Sequence, residues 1–295
     1  MVKCKPKIEE KSYEILETDL IIKDGNIYHI GVNKDNVAET IILVGDQDRV
    51  PMISKYFDNI IHKSQHREFV VHTGTYKGKK LTALSTGIGT DNIDIVVNEL
   101  DAIFNVDLKT RQIKKDLTSL NLIRLGTCGT IRKDIPVDSI IVSDYAFGLD
   151  NLMNFYKGGH LFYKRAYKFS DDFCDSWNPY ITHGHTDLIN LFPDLYHGIT
   201  ATSPGFYAPQ ERHLRIEGNP YLIKDLLNRR YKDRKVLNFE METSALYGLA
   251  ELSGHKALTL CTVVANRQMG KFTKDAEKAV DNMIKMFLDK IVNYI

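Results

Sequence analysis

Gln210 and Arg212 stand two residues apart in GFYAPQERH, directly after Phe206 and Tyr207. A side-chain amide carries a donor and an acceptor, a guanidinium carries a fork of donors, and an aromatic ring offers a flat wall. Together they could hold a flat ligand with donors and acceptors on its edge. An ordinary exposed turn is the plain alternative. Other polar groups stand where short apolar runs end. After IILV come Gly45 and, one turn on, Arg49. They read as a backbone N–H open to an anion with its charge partner, or as a helix start capped by Asp46. In NLIRLGTCG, Arg124 precedes Gly126, Thr127 and Gly129, a small anion-binding nest. An arginine inside an apolar strand needs an anionic partner, either a ligand or a buried carboxylate. After VLNF, Glu240 and Glu242 flank Met241 at a strand-to-helix junction. One carboxylate there can cap the helix. The other can accept from paired hydroxyls such as those of a sugar.

The elements that must position these groups are legible from residue 41 onward. Short β-rich apolar runs alternate with helical patterns. TIILVGD (40–46) predicts a buried strand and DRVPMISKYF a helix. Residues 69–87 predict a hairpin turning at Lys77-Gly78. Residues 90–104 predict a helix with Ile93, Val96, Val97, Leu100 and Phe104 on one face, capped by Thr90 or Asp91. Buried strands are expected at 121–129, 139–147, 198–203, 236–242 and 257–266. A helix over 241–254 should end at Gly254, and a last amphipathic helix should span 274–294. Residues 1–20 read as an extension and 106–120 as a polar, basic surface insertion. The expectation is one α/β domain over 21–295, a central mixed β-sheet flanked by helices, with its ligand beyond the carboxyl ends of the strands.

Bulk composition narrows the function classes. The 295 residues are 43% hydrophobic and 26% charged, with formal net charge +1. No general attraction to nucleic acid is expected, so anion recognition must be local. Cys4, Cys128, Cys174 and Cys261 are scattered without CxxC or His/Cys clusters, against zinc and a disulfide framework and in keeping with a cytoplasmic protein. The charged N-terminus lacks an apolar signal core, and no apolar run reaches membrane-spanning length.

The ordered set YHIG, GDQDRV, HREF, STGIG, IRLGTCG, FYAPQER, EMETSALYGLA and VVANR, from about Tyr28 to Arg267, resembles the nucleoside phosphorylase-I family, and within it the uridine phosphorylases. The resemblance implies a nucleoside phosphorylase-like fold and reversible phosphorolysis of uridine, with deoxyuridine and thymidine as further candidates. The products would be uracil and ribose 1-phosphate, with inorganic phosphate as co-substrate. It implies that Phe206, Gln210 and Arg212 read the base. Gly45, Arg49, Arg124 and Thr127, with Arg67 of a neighbouring subunit, would bind phosphate. Thr127, Met241, Glu242 and a neighbour's His29 would bind ribose, with Tyr28 at the mouth. Arg212, Gln210 and Arg124 would carry catalysis. Glu68, Ile88 and Asn92 match positions around a potassium ion between subunits, and a homo-oligomer, a dimer or a hexamer of dimers, follows. This chain departs from the pattern at Gln47, where proline is usual. It departs again at Asn92, where serine is expected. Cys128 stands where uridine phosphorylases often carry a hydroxyl and purine phosphorylases a cysteine. The alternatives are a purine nucleoside phosphorylase or nucleosidase of the same fold, and a non-catalytic nucleoside-binding protein.

Overall fold

The computed structural model describes residues 14–167, 178–218 and 221–295. Residues 1–13 of the expected extension, with Cys4, and Cys174 lie outside the described residues. The strands in chain order are β1 (Ile22–Lys23), β2 (Asn26–Ile27), β3 (Thr40–Val44), β4 (Asn59–His66), β5 (Phe69–Tyr76), β6 (Lys79–Ser85), β7 (Val106–Asp107), β8 (Gln112–Ile113), β9 (Asn121–Thr130), β10 (Ile140–Gly148), β11 (Tyr180–His183), β12 (Tyr196–Thr202), β13 (Arg230–Tyr231), β14 (Arg234–Glu240), β15 (Lys256–Asn266) and β16 (Lys271–Phe272). The apolar runs become strands buried on both faces: every residue of β3 is buried, and β9 and β15 nearly so.

The main sheet is mixed, in the order β13-β14-β12-β10-β15-β9-β3-β6-β5-β4, with β11 on β10 and β16 on β15. The expected mixed sheet is therefore present, with an addition. β14 also pairs with β9 through Asn238–Thr130 and Phe239–Gly129, so β9, β14, β12, β10 and β15 close into a barrel. The helices Thr90–Asn105 and Thr243–Ser253 pack on one face through Ile93, Val96, Leu100, Ala245, Leu246 and Leu249. On the other face Val50 and Ile53 of Arg49–Ser54 meet Val280, Ile284 and Phe287 of Ala276–Ile291. Each such fully buried side chain contributes roughly 1.5–3 kcal/mol.

Lys77 and Gly78, both at positive φ, make the expected hairpin turn, and Gly254 at φ 74° ends its helix. Two local expectations are corrected. The helix starting at Thr90 is preceded by Gly89 at φ 102° with no side-chain cap, so Thr90 and Asp91 are already inside it. Asp46 does not cap the helix Arg49–Ser54: its Oδ1 accepts from Asp48 N at 3.0 Å, an Asx turn just before the helix. Asn59–His66, for which no element was expected, is a strand at the sheet edge paired with Phe69–Tyr76.

The 106–120 insertion forms the β7–β8 hairpin. From it Arg111 donates to the carbonyls of Leu16 (3.1 Å) and Leu20 (2.7 Å), tying residues 16–20 to the body. Among the described residues no helix is long and apolar enough to cross a membrane.

Candidate active site

The polar groups at the strand ends share one cavity of about 640 Å³. Gly45 and Arg49 enter it from the end of β3, Arg124, Thr127 and Gly129 from β9, and Met241 and Glu242 from the end of β14. Phe206, Gln210 and Arg212 form a wall from the loop after β12. All of these but Gly129 are residues expected from sequence to bind the base, phosphate or ribose, whereas Arg67 and His29 do not line the cavity. Ile88 also lines the cavity, 67% exposed at its mouth.

The capping reading of the Glu240–Glu242 pair is realised on Glu240. Glu240 is the helix cap: its carboxylate accepts from the backbone N–H groups of Glu242 (3.0 Å) and Thr243 (3.0 and 3.1 Å), and from Thr202 Oγ1 (2.7 Å). Glu242 is left to face the cavity, where its Oε1 accepts from Gly89 N at 2.8 Å. Arg124 spans the two, donating from Nη2 to Glu242 Oε2 and from Nε to Glu240 Oε2 (3.3 Å). Burial opposes its charge, but the carboxylates of Glu242 and Glu240 outweigh burial and raise its pKa. One guanidinium serves two carboxylates, so burial, with Glu240 beside it, pushes Glu242 upward in pKa against the pull of Arg124. Gly126 makes room for this arrangement: a Cβ there would lie 2.6 Å from Arg124 Nη1. Arg49 donates to the Leu125 carbonyl (3.2 Å), its pKa lowered by burial and by Arg124. Two guanidinium groups held close in a half-open cavity invite a shared anion.

The aromatic–amide–guanidinium wall is equally specific. Gln210 is 2% exposed. Arg212 lies over the Phe206 ring, 3.8 Å from its centroid, and donates to Gln210 Oε1 (2.5 Å) and to the Phe206 carbonyl (2.8 Å). A guanidinium only donates, so it fixes the oxygen of the Gln210 amide toward itself, and Nε2 donates to the Gly205 carbonyl (3.2 Å). Burial, then the charge of Arg267, lowers the Arg212 pKa to about 10. Arg267 had no role assigned from sequence. It grips the carbonyls of Gln210 and Glu211 (2.9 Å to the latter), and the only cue was its place at the end of VVANR.

His29, Tyr28 and Arg67 gather outside the cavity. The Tyr28 ring lies 5.1 Å from that of His29, and the Arg67 guanidinium sits 5.6 Å from the Tyr28 centroid. His29 Nδ1 is bound to Glu99 (2.5 Å). The Arg67 carbonyl accepts from Gln47, which does line the cavity. Glu68 and Asn92 flank Gly87, and Asn92 turns its amide nitrogen to the Ile88 carbonyl (3.3 Å). No group of three or more His, Cys, Asp or Glu side chains among the described residues could hold a metal ion.

The cavity at the strand ends sets the Arg49 and Arg124 guanidinium groups beside the Glu242 carboxylate, with the Gln210–Arg212 wall among its lining residues. The chain belongs to the phosphorylase superfamily, whose model matches residues 39–293. It is 32% identical to a uridine phosphorylase of Thermococcus kodakarensis over 257 residues, 87% of this chain and 83% of the relative. It is 29% identical to a DeoD-type purine nucleoside phosphorylase of Bacillus subtilis, over 89% of this chain and 98% of the relative. The fold matches a Trypanosoma brucei nucleoside phosphorylase, described as showing uridine phosphorylase activity, with TM-score 0.82 and 29% identity, covering 93% of this chain and all of that one. The chain is thus a nucleoside phosphorylase, a pentosyltransferase with phosphate as co-substrate.

Proposed function

We propose that the nucleoside is uridine and that the reaction is its reversible phosphorolysis. The observation that carries this reading is the Gln210 amide pinned by Arg212. With its oxygen orientation fixed, the amide presents an acceptor for a ring N–H and a donor for a ring carbonyl, and Arg212 keeps donors for the second carbonyl. That pattern matches the edge of uracil.

In this reading phosphate lies between Gly45, Arg49, Arg124 and Thr127, with Arg67 supplied by a neighbouring subunit. Glu242 accepts the ribose 2′- and 3′-hydroxyls, Met241 packs on the sugar, and His29 of a neighbour reaches the 5′-hydroxyl. A phosphate oxygen bonds to C1′ as the C1′–N1 bond breaks, and its electron pair leaves with the base. Uracil departs as an anion that Arg212 and Gln210 stabilise, then takes a proton from water. No side-chain nucleophile is needed. Positioning the two reactants contributes up to roughly 7–11 kcal/mol of barrier lowering.

The deciding experiment follows loss of uridine and of inosine, each with and without phosphate. Uridine cleavage that requires phosphate and far exceeds inosine cleavage supports the reading. Inosine as the better substrate would replace it with a purine phosphorylase, for which Cys128 in the cavity wall is the structural argument. Cleavage without phosphate would make the protein a nucleosidase.

A further inference from the structure

Glu211 lies between the two base-facing residues and does not line the cavity. Its backbone is left-handed, φ 56° and ψ 43°, a conformation that disfavours any residue with a Cβ. It closes the short helical turn Ala208–Gln210: its N–H donates to the Ala208 carbonyl (2.9 Å), and Arg212 N donates to the Tyr207 carbonyl (2.9 Å). The reversal at Glu211 brings the side chains of Gln210 and Arg212 together. The Glu211 carboxylate itself reaches elsewhere. It accepts from Tyr221 N (2.8 Å) and Ile223 N (2.7 Å), the first backbone N–H groups of the helix Leu222–Asn228. The residue at that helix's own N-cap, Tyr221, contributes no side-chain cap. From the opposite side Arg267 holds the carbonyls of Gln210 and Glu211.

We propose that Glu211 is a positioning residue for base selection: by capping the helix Leu222–Asn228 it clamps the turn that sets the spacing of Gln210 and Arg212. The proposal rests on the reading that this pair contacts the base. Two charge-assisted hydrogen bonds stabilise a backbone that would otherwise relax, and a relaxed turn separates the amide from the guanidinium. Relaxation by about an ångström at a reacting group costs on the order of 100-fold in rate.

The test uses Glu211→Ala, Glu211→Gly and Glu211→Gln in the full-length protein. Glycine tolerates the left-handed backbone but lacks the carboxylate, so it separates strain from clamping. Both Glu211→Ala and Glu211→Gly are expected to lose roughly 10–100-fold in kcat/KM for uridine. The uridine-to-inosine ratio should narrow, and the KM for phosphate should stay within about twofold of wild type. Glu211→Gln keeps one acceptor oxygen and should recover part of the loss. Hydrogen exchange without ligand supplies an independent readout: the amides of Tyr221 and Ile223 and of 205–212 should lose protection together in Glu211→Ala and Glu211→Gly. Full activity and selectivity in Glu211→Gly would overturn the proposal, as would phosphate and uridine KM values rising in parallel or unchanged exchange at 205–212. A wild type inert toward uridine would instead overturn the base assignment, and the exchange result alone would then decide whether the clamp exists.

Discussion

At the scale of single residues, the site divides labour among side chains of the same type. All three arginines line the cavity, and in the proposed reading Arg212 meets the departing base while Arg49 and Arg124 meet the phosphate. Arg212→Ala is therefore expected to lower kcat on the order of 100-fold with a smaller change in nucleoside KM, because the charge it meets develops only as the bond breaks. Steady-state kinetics check this, and a change in KM alone would reduce Arg212 to a ground-state contact. Glu240 and Glu242 differ in the same way. Glu242→Ala should weaken nucleoside binding while phosphate binding persists, since Glu240 still holds Arg124 through Nε. Calorimetry with phosphate alone and with nucleoside alone separates the two. From sequence, Arg124 was open between a ligand and a buried carboxylate. Its partners lie 116 and 118 residues away, and only the folded sheet brings them together.

At the scale of elements, strands set the distances between these groups. The glycine at position 126 in β9 lets the Arg124 side chain fold back along its own strand. Gly126→Ala should displace that guanidinium from its two carboxylates and raise the KM for phosphate by roughly tenfold, the loss of about one charge-assisted hydrogen bond. An unchanged phosphate KM would show that Arg124 finds an equivalent rotamer. A second contact ties β10, β12 and β14. His197 on β12 offers Nδ1 to Asp144 of β10 (2.7 Å) and Nε2 to the Phe192 carbonyl (2.9 Å), while Arg234 of β14 holds the other Asp144 oxygen. Both partners of the imidazole are acceptors, so the protonated ring fits best, and the hydrogen bond to Asp144 raises its pKa. A raised histidine pKa contributes stability that is complete below the unfolded value near 6.5 and is lost as pH rises through the folded value. The Tm difference between wild type and His197→Gln should accordingly be larger at pH 6 than at pH 8.5; a constant difference would leave only packing. Strands such as β3, β9 and β15 were legible because unbroken apolar runs have few other uses. β4 was not, since its residues NIIHKSQH are mostly polar and lie mostly exposed at the sheet edge. The cap of the helix Thr90–Asn105 was misplaced for a similar reason: the sequence offers Thr90 and Asp91 as good caps, yet Gly89 is the residue whose N–H reaches Glu242.

At the scale of the whole molecule, the cavity of one chain leaves out Arg67 and His29, which gather around Tyr28 beyond it. If a neighbouring copy supplies them, the protein functions as at least a dimer. Mixing equal amounts of inactive Arg67→Ala and Arg212→Ala chains should then restore about a quarter of wild-type activity, because half the dimers are mixed and each has one intact site. No recovery after subunit exchange would show that Arg67 is not supplied across a subunit boundary. The barrel seam bears on a different property. β9 carries Arg124 and β14 leads into Met241 and Glu242, and the two strands are laced directly through Asn238–Thr130 and Phe239–Gly129. This pairing couples the two strands, so turnover is expected to call for no large rearrangement of the barrel. Crystals soaked in nucleoside and phosphate should convert substrate without cracking, and freeze-trapping along such a soak would record the reaction in one lattice.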